Sequence, residues 1–209
     1  MSPMKQDFLS LLIGGQNRAR VLRVFIFNAA DSFTAAQIGK RSRISAKAAE
    51  VEIKVLERAG IIKKGMFSIQ VGTGSRRVQG NQKEQLWTID QDFKYLRAVT
   101  SFVHEVSPVQ GNDIVAALKS SGRLTMVVLS GAFMGDISRP ADIIIVADSY
   151  NEARIERAIK LLEPEYGREI RYAVFSTAEF RYRMTVHDRL IRDTLDYPHL
   201  VLLDKTQLL

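Results

Sequence analysis

Cationic side chains carry the most informative chemistry in this sequence. Lys40, Arg41 and Arg43 fall within four residues, Lys47 and Lys54 follow, and Arg76-Arg77 stand in the glycine-rich stretch VGTGSRRVQGN. Residues 1–90 hold 15 Lys/Arg against 7 Asp/Glu, a net of +8, while residues 91–209 hold 15 against 16, a net of −1. Together these give the chain's +7, so all of the excess positive charge lies in the first half. Such asymmetry suits a basic module that meets a polyanion, joined to a module with another task. A basic surface that is merely solvated is the alternative that charge alone leaves standing.

Other candidates for chemistry are weaker. None of the 209 residues is cysteine, which removes disulfide scaffolds, cysteine-based zinc sites, iron–sulfur clusters and thiol catalysis. His104, His187 and His199 have no metal-ligand spacing among them. His187-Asp188, on the segment TVHDRLIRDTL, reads as an exposed helix start, where the dipole favours an acid. Ser130-Gly131 lacks the G-x-S-x-G of a nucleophile elbow. Arg181, Arg183, Arg189 and Arg192 interleave with Glu179, Asp188 and Asp193, a pattern of helix-surface ion pairs more than of a phosphate site. The glycines of residues 72–83 form no G-x-x-x-x-G-K-[ST] loop and fit a flexible loop tip instead.

The elements that must position the basic residues can be read from periodicity. Hydrophobic residues make up 46% and charged residues 25%, ordinary for a globular protein. KQDFLSLLI predicts a short helix ended by Gly14-Gly15, and NRARVLRVFIFNA a second over residues 17–29. Asp31-Ser32 is a turn signal. Thr34 is placed to cap AAQIGKRS, and Ser45 to cap AKAAEVEIKVLERA, which stops at Gly60. There Ala49, Ile53 and Leu56 share a core face, with Lys47, Glu50, Lys54 and Glu57 or Arg58 on another. IIKKGMFSIQV then reads as a strand, 72–83 as a loop and KEQLWTI as a second strand. Residues 91–106 read as a connecting helix with a wide apolar stripe, broken by Ser107-Pro108 and Gly111. NDIVAALKSS gives a helix ending at Gly122. Strands LTMVVLS, DIIIVAD, REIRYAVFS and HLVLLD follow, with helices expected over about 151–163 and 177–195. Runs such as IIIVA predict an α/β unit with a mostly covered sheet. The longest uncharged apolar run, Leu124 to Gly135, falls short of the roughly 20 residues that span a bilayer. MSPMKQDF lacks the pattern of a secretory leader, so a cytoplasmic location is expected and no membrane partner.

Helix, helix, helix, strand, basic loop, strand is a winged-helix order. The line from Asn17 to Lys64, with AAQIGKR in its second helix and Leu56, Ala59, Gly60, Ile61 and Ile62 at its exit, resembles winged helix-turn-helix transcriptional regulators. The resemblance implies that double-stranded DNA is the polyanion and that the chain acts as a homodimer on two half-sites. The N-terminal half of a recognition helix meets base edges, which makes Ser45, Ala46, Lys47, Glu50 and Lys54 the candidate contacts. Lysines there suit guanine or phosphate, and Glu50 suits cytosine N4. Lys40, Arg41 and Arg43 suit phosphates that set register. Arg76 and Arg77 would tip the wing. Any one of these residues could equally be an ordinary charge on a solvated helix face.

Residues 111–204 resemble the minimal nucleotidyltransferase domain. In that family a strand ends in Gly-Ser, and an Asp-x-Asp on the next strand holds the metal ions that bind the triphosphate. Here Gly131 matches the glycine and Asp142 the first acid, but Ala132 replaces the serine and Ile144 the second acid. Glu169 lies near the start of the strand expected to carry a third acid, and Arg171 occupies its middle. One carboxylate cannot run two-metal transfer. The expectation is therefore an α+β protein of three parts: a winged-helix DNA-binding domain over 1–90, a connecting helix over 91–110 and a degenerate nucleotidyltransferase-like domain over 111–209. Its function would be that of a sequence-specific transcriptional regulator, not an enzyme, with no metal or cofactor. Gly131 and Asp142 would be a vestigial nucleotide site, open to a nucleotide or small-molecule effector, or the domain would only hold the dimer. An active nucleotidyltransferase and a protein-interaction adaptor are the competing readings. The first is expected to lose activity with Asp142→Ala, the second to survive loss of Lys47, Lys54, Arg76 and Arg77.

Overall fold

Asp7 opens α1 (Phe8–Ile13) as its N-cap, accepting from the Leu9 N–H at 3.2 Å. The computed structural model describes residues 7–65, 85–106 and 111–209, and their elements make an α+β protein. The chain divides into two compact units: Met1–Pro108 with Pro164–Arg168, and Val109–Glu163 with Glu169–Leu209.

In the first unit, α2 (Gln16–Ile26) is the central core helix. Ala19, Val21, Leu22, Val24, Phe25 and Ile26 are all buried, so from Val21 onward the helix is enclosed on every side, while Gln16, Asn17, Arg18 and Arg20 are not buried. Arg23 is buried with them at 0% exposure, and both its terminal nitrogens donate to the Asp7 carboxylate, at 2.9 and 2.7 Å. The Asp7 cap and the Arg23 pair thus fasten α1 to α2 with one side chain. Next come β1 (Ser32–Phe33), α3 (Ala35–Ser42) and α4 (Ala46–Arg58). Thr34 caps α3 in a full capping box with Gln37, and Ser45 caps α4 through the Ala48 N–H. Strands β2 (Ile62–Gly65) and β3 (Leu86–Ile89) complete an antiparallel sheet in the order β1-β3-β2, and α5 (Leu96–Glu105) follows.

Three expectations change here. The second helix stops at Ile26, and residues 27–30 turn instead of continuing to 29. Ser32 of the Asp31-Ser32 turn signal instead begins a short strand with Phe33, held by β3 through Ser32–Thr88 and Phe33–Trp87. Residues 91–95 are a turn, so α5 is shorter than the 91–106 helix expected. The strand predicted to continue through 66–71, the 72–83 loop with Arg76 and Arg77, and the Ser107-Pro108 break lie outside the described residues.

The second unit contains α6 (Gly111–Leu118), β4 (Arg123–Leu129), β5 (Ile143–Asp148), α7 (Glu152–Tyr166, whose last turn belongs to the first unit), β6 (Tyr172–Phe175), α8 (Thr177–Thr185), α9 (Arg189–Leu195) and β7 (Leu200–Asp204). The sheet order is β6-β5-β4-β7. Only β5 and β6 run parallel, and β4 is antiparallel to both of its neighbours. The expected burial on both faces holds for β4 from Met126 to Leu129 and for β5 from Ile143 to Ala147. It does not hold for the edge strand β7, where Leu200 is 49% exposed. Met126, Val128, Ile144 and Val146 pack with Phe175, Phe180 and Ile191 into one apolar cluster.

The single helix expected over 177–195 is two. His187 adopts φ 54°, which breaks the helical path, and Asp188 begins a new helix by accepting from the N–H groups of Leu190 and Ile191. Asp188 also pairs with Arg183 at 2.8 Å.

Candidate nucleic-acid interface and the Asp142 turn

α4 is held at a set distance from α3 by Gly39. A Cβ at that position would lie 2.9 Å from the Ile44 carbonyl oxygen and 3.2 Å from the Ala46 nitrogen, so no larger residue fits the crossing. The turn between the helices closes with Arg43 at φ 52° and the Ile44 N–H bonded to the Gly39 carbonyl at 2.9 Å. With the entry fixed and Ser45 capping the first turn, the rotation of α4 follows from its core face. Ala49, Ile53 and Leu56 are 0%, 0% and 3% exposed, as their spacing predicts.

The opposite side is then determined at 100° per residue. Lys47, Val51, Lys54 and Arg58 form the outward stripe, with Glu50 at its edge, and all five are exposed. Ser45 and Ala46 are exposed at the helix start, as is Lys40 on α3. Arg43 is exposed as well. Arg41 is drawn inward: its guanidinium sits 4.9 Å from the Phe33 ring centroid, and it reaches Asn28 Oδ1 at 3.5 Å. Arg41 is therefore committed to packing within the first unit.

Two of the three α4 glutamates are already neutralised. Glu52 accepts from Arg18 at 2.8 Å, joining α4 to α2, and Glu57 lies 3.5 Å from Lys64 of β2. Lys63 beside it is bonded to Asp90 at 2.7 Å, which holds the lysine above its ordinary pKa and the carboxylate below its own. No carboxylate among the described residues pairs with Lys40, Lys47 or Lys54. The outward face of α4 thus keeps its cations while Glu52 and Glu57 are spent on anchoring the helix, and Glu50 stays exposed at the edge of the stripe.

The sequence reading missed Val51. It is 56% exposed, an apolar side chain in the middle of a charged stripe. Its position four residues after Lys47 and three before Lys54 was the available signal.

In the second unit, Gly131 and Asp142 do come together. Gly131 has φ 53°, and a Cβ on it would lie 2.6 Å from Asp142 Oδ1 and 2.7 Å from the Ala141 carbonyl oxygen. Asp142 is fully buried, and both of its oxygens are occupied by protein donors. Oδ1 accepts from the Ala132 N–H at 2.8 Å and from Arg171 Nη2 at 2.9 Å. Oδ2 accepts from the Arg171 N–H at 2.9 Å and from Arg171 Nε at 3.1 Å. A carboxylate wrapped in this way by a guanidinium is a structural ion pair. Ile144 lies in the apolar cluster with Phe175 and Phe180, and no group of three His, Asp or Glu among the described residues is placed to hold a metal ion.

Three of the four arginines of α8 and α9 pair along their own helices: Arg183 with Glu179 at 2.9 Å, Arg189 with Asp193 at 3.3 Å, and Arg192 with Asp196 at 3.5 Å. At the end of β5, the Thr177 N–H and Arg123 hold the Asp148 carboxyl below its ordinary pKa. No helix among the described residues is long and apolar enough to cross a membrane. Comparison of the chain with protein-family models, curated proteins and solved structures finds no match.

Proposed function

We propose that this protein is a sequence-specific double-stranded DNA-binding transcriptional regulator that acts as a homodimer through a winged-helix first unit. The observation that carries this reading is the outward stripe of α4, whose lysines stand exposed without acidic partners among the described residues. In this reading Lys47 and Lys54 meet guanine or phosphate, Glu50 meets cytosine, and Lys40 and Arg43 set register on phosphates. Val51 adds an apolar contact suited to the thymine methyl group, the one apolar feature of the major-groove edge. Arg76 and Arg77 serve as the wing contacts.

The second unit, in the same proposal, is a nucleotidyltransferase-like domain without two-metal chemistry that senses a ligand or holds the dimer. What supports this is the Arg171 clamp on Asp142, which leaves the carboxylate no free oxygen for a cation. The test is selection of bound sequences from a random duplex library, followed by titration of the winner against salt. A two-fold symmetric site with a steep salt dependence is the expected result. Binding without any enriched sequence would replace this reading with the adaptor.

A further inference from the structure

The helix α1 presents its apolar residues the wrong way for a packed element. Phe8, Leu11 and Leu12 sit at i, i+3 and i+4, so they share one face, and they are 57%, 57% and 61% exposed. Only Leu9 points to the core, at 1% exposure. The helix does not hang loose, because Asp7 caps it and the buried Arg23 grips that same carboxylate. A second stripe adjoins the first. On α5 and the residue before it, Tyr95, Val99, Phe102 and Val106 fall at i, i+4, i+7 and i+11. Tyr95 is 55% exposed and the other three are half-buried. The stripes meet where the Phe8 and Phe102 rings pack edge to face, with centroids 6.3 Å apart.

We infer that this joined α1–α5 face is the contact by which two copies of the chain pair about a twofold axis. The inference names the partner in the two-copy arrangement proposed above. It rests on that reading for its purpose, not for its physical argument. Area favours a second copy. The exposed parts of Phe8, Leu11, Leu12 and Tyr95 amount to roughly 400 Å² of apolar surface, the size of the largest patch on a typical monomer and of the kind that is often an interaction site. A twofold pair would bury about twice that. This matches the apolar share of an interface near the lower bound of stable ones, about 1,200 Å² in total.

Charge favours it too. Each copy carries +8 over residues 1–90, so two copies can approach only where neither presents that charge. The segment FLSLLI has no charged residue, and the α5 stripe has none. Among the described residues, Lys94 lies 5.0 Å from the Tyr95 ring centroid at one rim, and at the other Arg18 donates to the Ile13 carbonyl at 2.7 Å while paired with Glu52. An uncharged, self-complementary patch is what an isologous contact needs.

The test is sedimentation of the full chain at micromolar concentration without DNA. The expected result is a dimer whose dissociation constant rises at least about 30-fold in the Leu11→Glu/Leu12→Glu double variant, the loss expected when an interface hot spot is removed. Its far-ultraviolet circular dichroism should match the wild type, since both side chains are exposed within the copy, while its melting temperature should lose the concentration dependence that pairing gives the wild type. As a check independent of that variant, the chain's lack of cysteine makes Leu12→Cys a clean probe. It should cross-link covalently under mild oxidant, while Ala153→Cys, exposed on the other unit, should not. Four results would overturn the inference: a monomeric wild type, a dimer indifferent to the double variant, equal cross-linking at both cysteines, or a monomer that floats with anionic vesicles through Leu12. Failure of the library selection beside a stable dimer would remove the DNA reading alone.

Discussion

The two units handle their cations in opposite ways. In the second unit six of the nine arginines lie within ion-pair distance of an acid: Arg123 with Asp148, Arg139 with Asp136, Arg171 with Asp142, Arg183 with Glu179 and Asp188, Arg189 with Asp193, and Arg192 with Asp196. In the first unit the acids work inside the scaffold, with Asp7 on Arg23, Glu52 on Arg18 and Glu57 on Lys64. Lys47 and Lys54 are left facing solvent on one helix stripe. The first unit holds 18 Lys/Arg against 10 Asp/Glu and the second 12 against 13. The units differ as well in where the carboxylates stand. A cation with a neighbouring acid has little field left to offer a polyanion, and one whose nearest acid is committed elsewhere keeps it.

The contrast can be broken most directly by removing charge from each unit in equal number. The triple variant Lys40→Ala, Lys47→Ala, Lys54→Ala is expected to weaken duplex binding by about 100-fold or more at moderate salt. It should also lower the slope of log K against log salt by about 3, since each phosphate contact contributes about 0.9. Arg183→Ala, Arg189→Ala, Arg192→Ala should change affinity less than about threefold, the scale of surface charges screened at a distance. Fluorescence anisotropy against salt measures both. Similar losses from the two triples would erase the distinction between the units.

The second unit is tested by its clamp. Asp142→Ala leaves the Arg171 guanidinium without its partner and the Ala132 N–H without an acceptor. The expected loss of stability is about 3 kcal/mol, read by urea unfolding. A carboxylate held for a ligand rather than for the fold would show little loss, or a gain, on removal. A finer comparison concerns Val51. Replacing individual thymines of the selected site by uracil should cost the wild type about 1 kcal/mol at one position per half-site, and cost the Val51→Ala variant nothing there. Uniform indifference to the methyl groups would take Val51 out of the readout.

The smallest expected effect concerns pH. His104 of α5 packs edge-on against Phe27 at 4.4 Å, and desolvation lowers its pKa from the ordinary value near 6.5. With the folded value below the unfolded one, the unfolded chain binds the proton first as pH falls. Stability from this group is therefore fully present above about 6.5 and declines as pH drops through the lowered folded value. His104→Gln should flatten that part of a stability–pH curve.

Local signals in the sequence were read well. Thr34 and Ser45 cap the helices they were expected to cap, and Ala49, Ile53 and Leu56 form the core face of α4. Each rests on contacts within one turn of helix, which periodicity and capping chemistry express directly. The failures are of longer range or depend on one backbone angle. The two-residue β1 has no periodicity of its own and exists because β3 pairs with it more than fifty residues later. The His187 break turned on a single positive φ, although Asp188 was in view as a helix start. At the site, the Lys47–Lys54 face was legible because helix geometry carries it. The Arg171 bond to Asp142 spans 29 residues and the Glu52 bond to Arg18 spans 34, so neither leaves a local trace.

The seat of Ile144 bears on reversibility. Ile144→Asp, which would complete an Asp-x-Asp spelling, would put a carboxyl group between Val128 and Val146 and beside Phe175 and Phe180, in the apolar cluster. That burial is expected to destabilise the second unit and to favour the neutral acid, which binds cations poorly. A pair of carboxylates free to hold a cation at this turn would need Arg171 withdrawn and the apolar cluster rebuilt in the same step. Neither change alone supplies the pair, so a mutational search that proceeds one residue at a time meets a loss of packing or of the ion pair first.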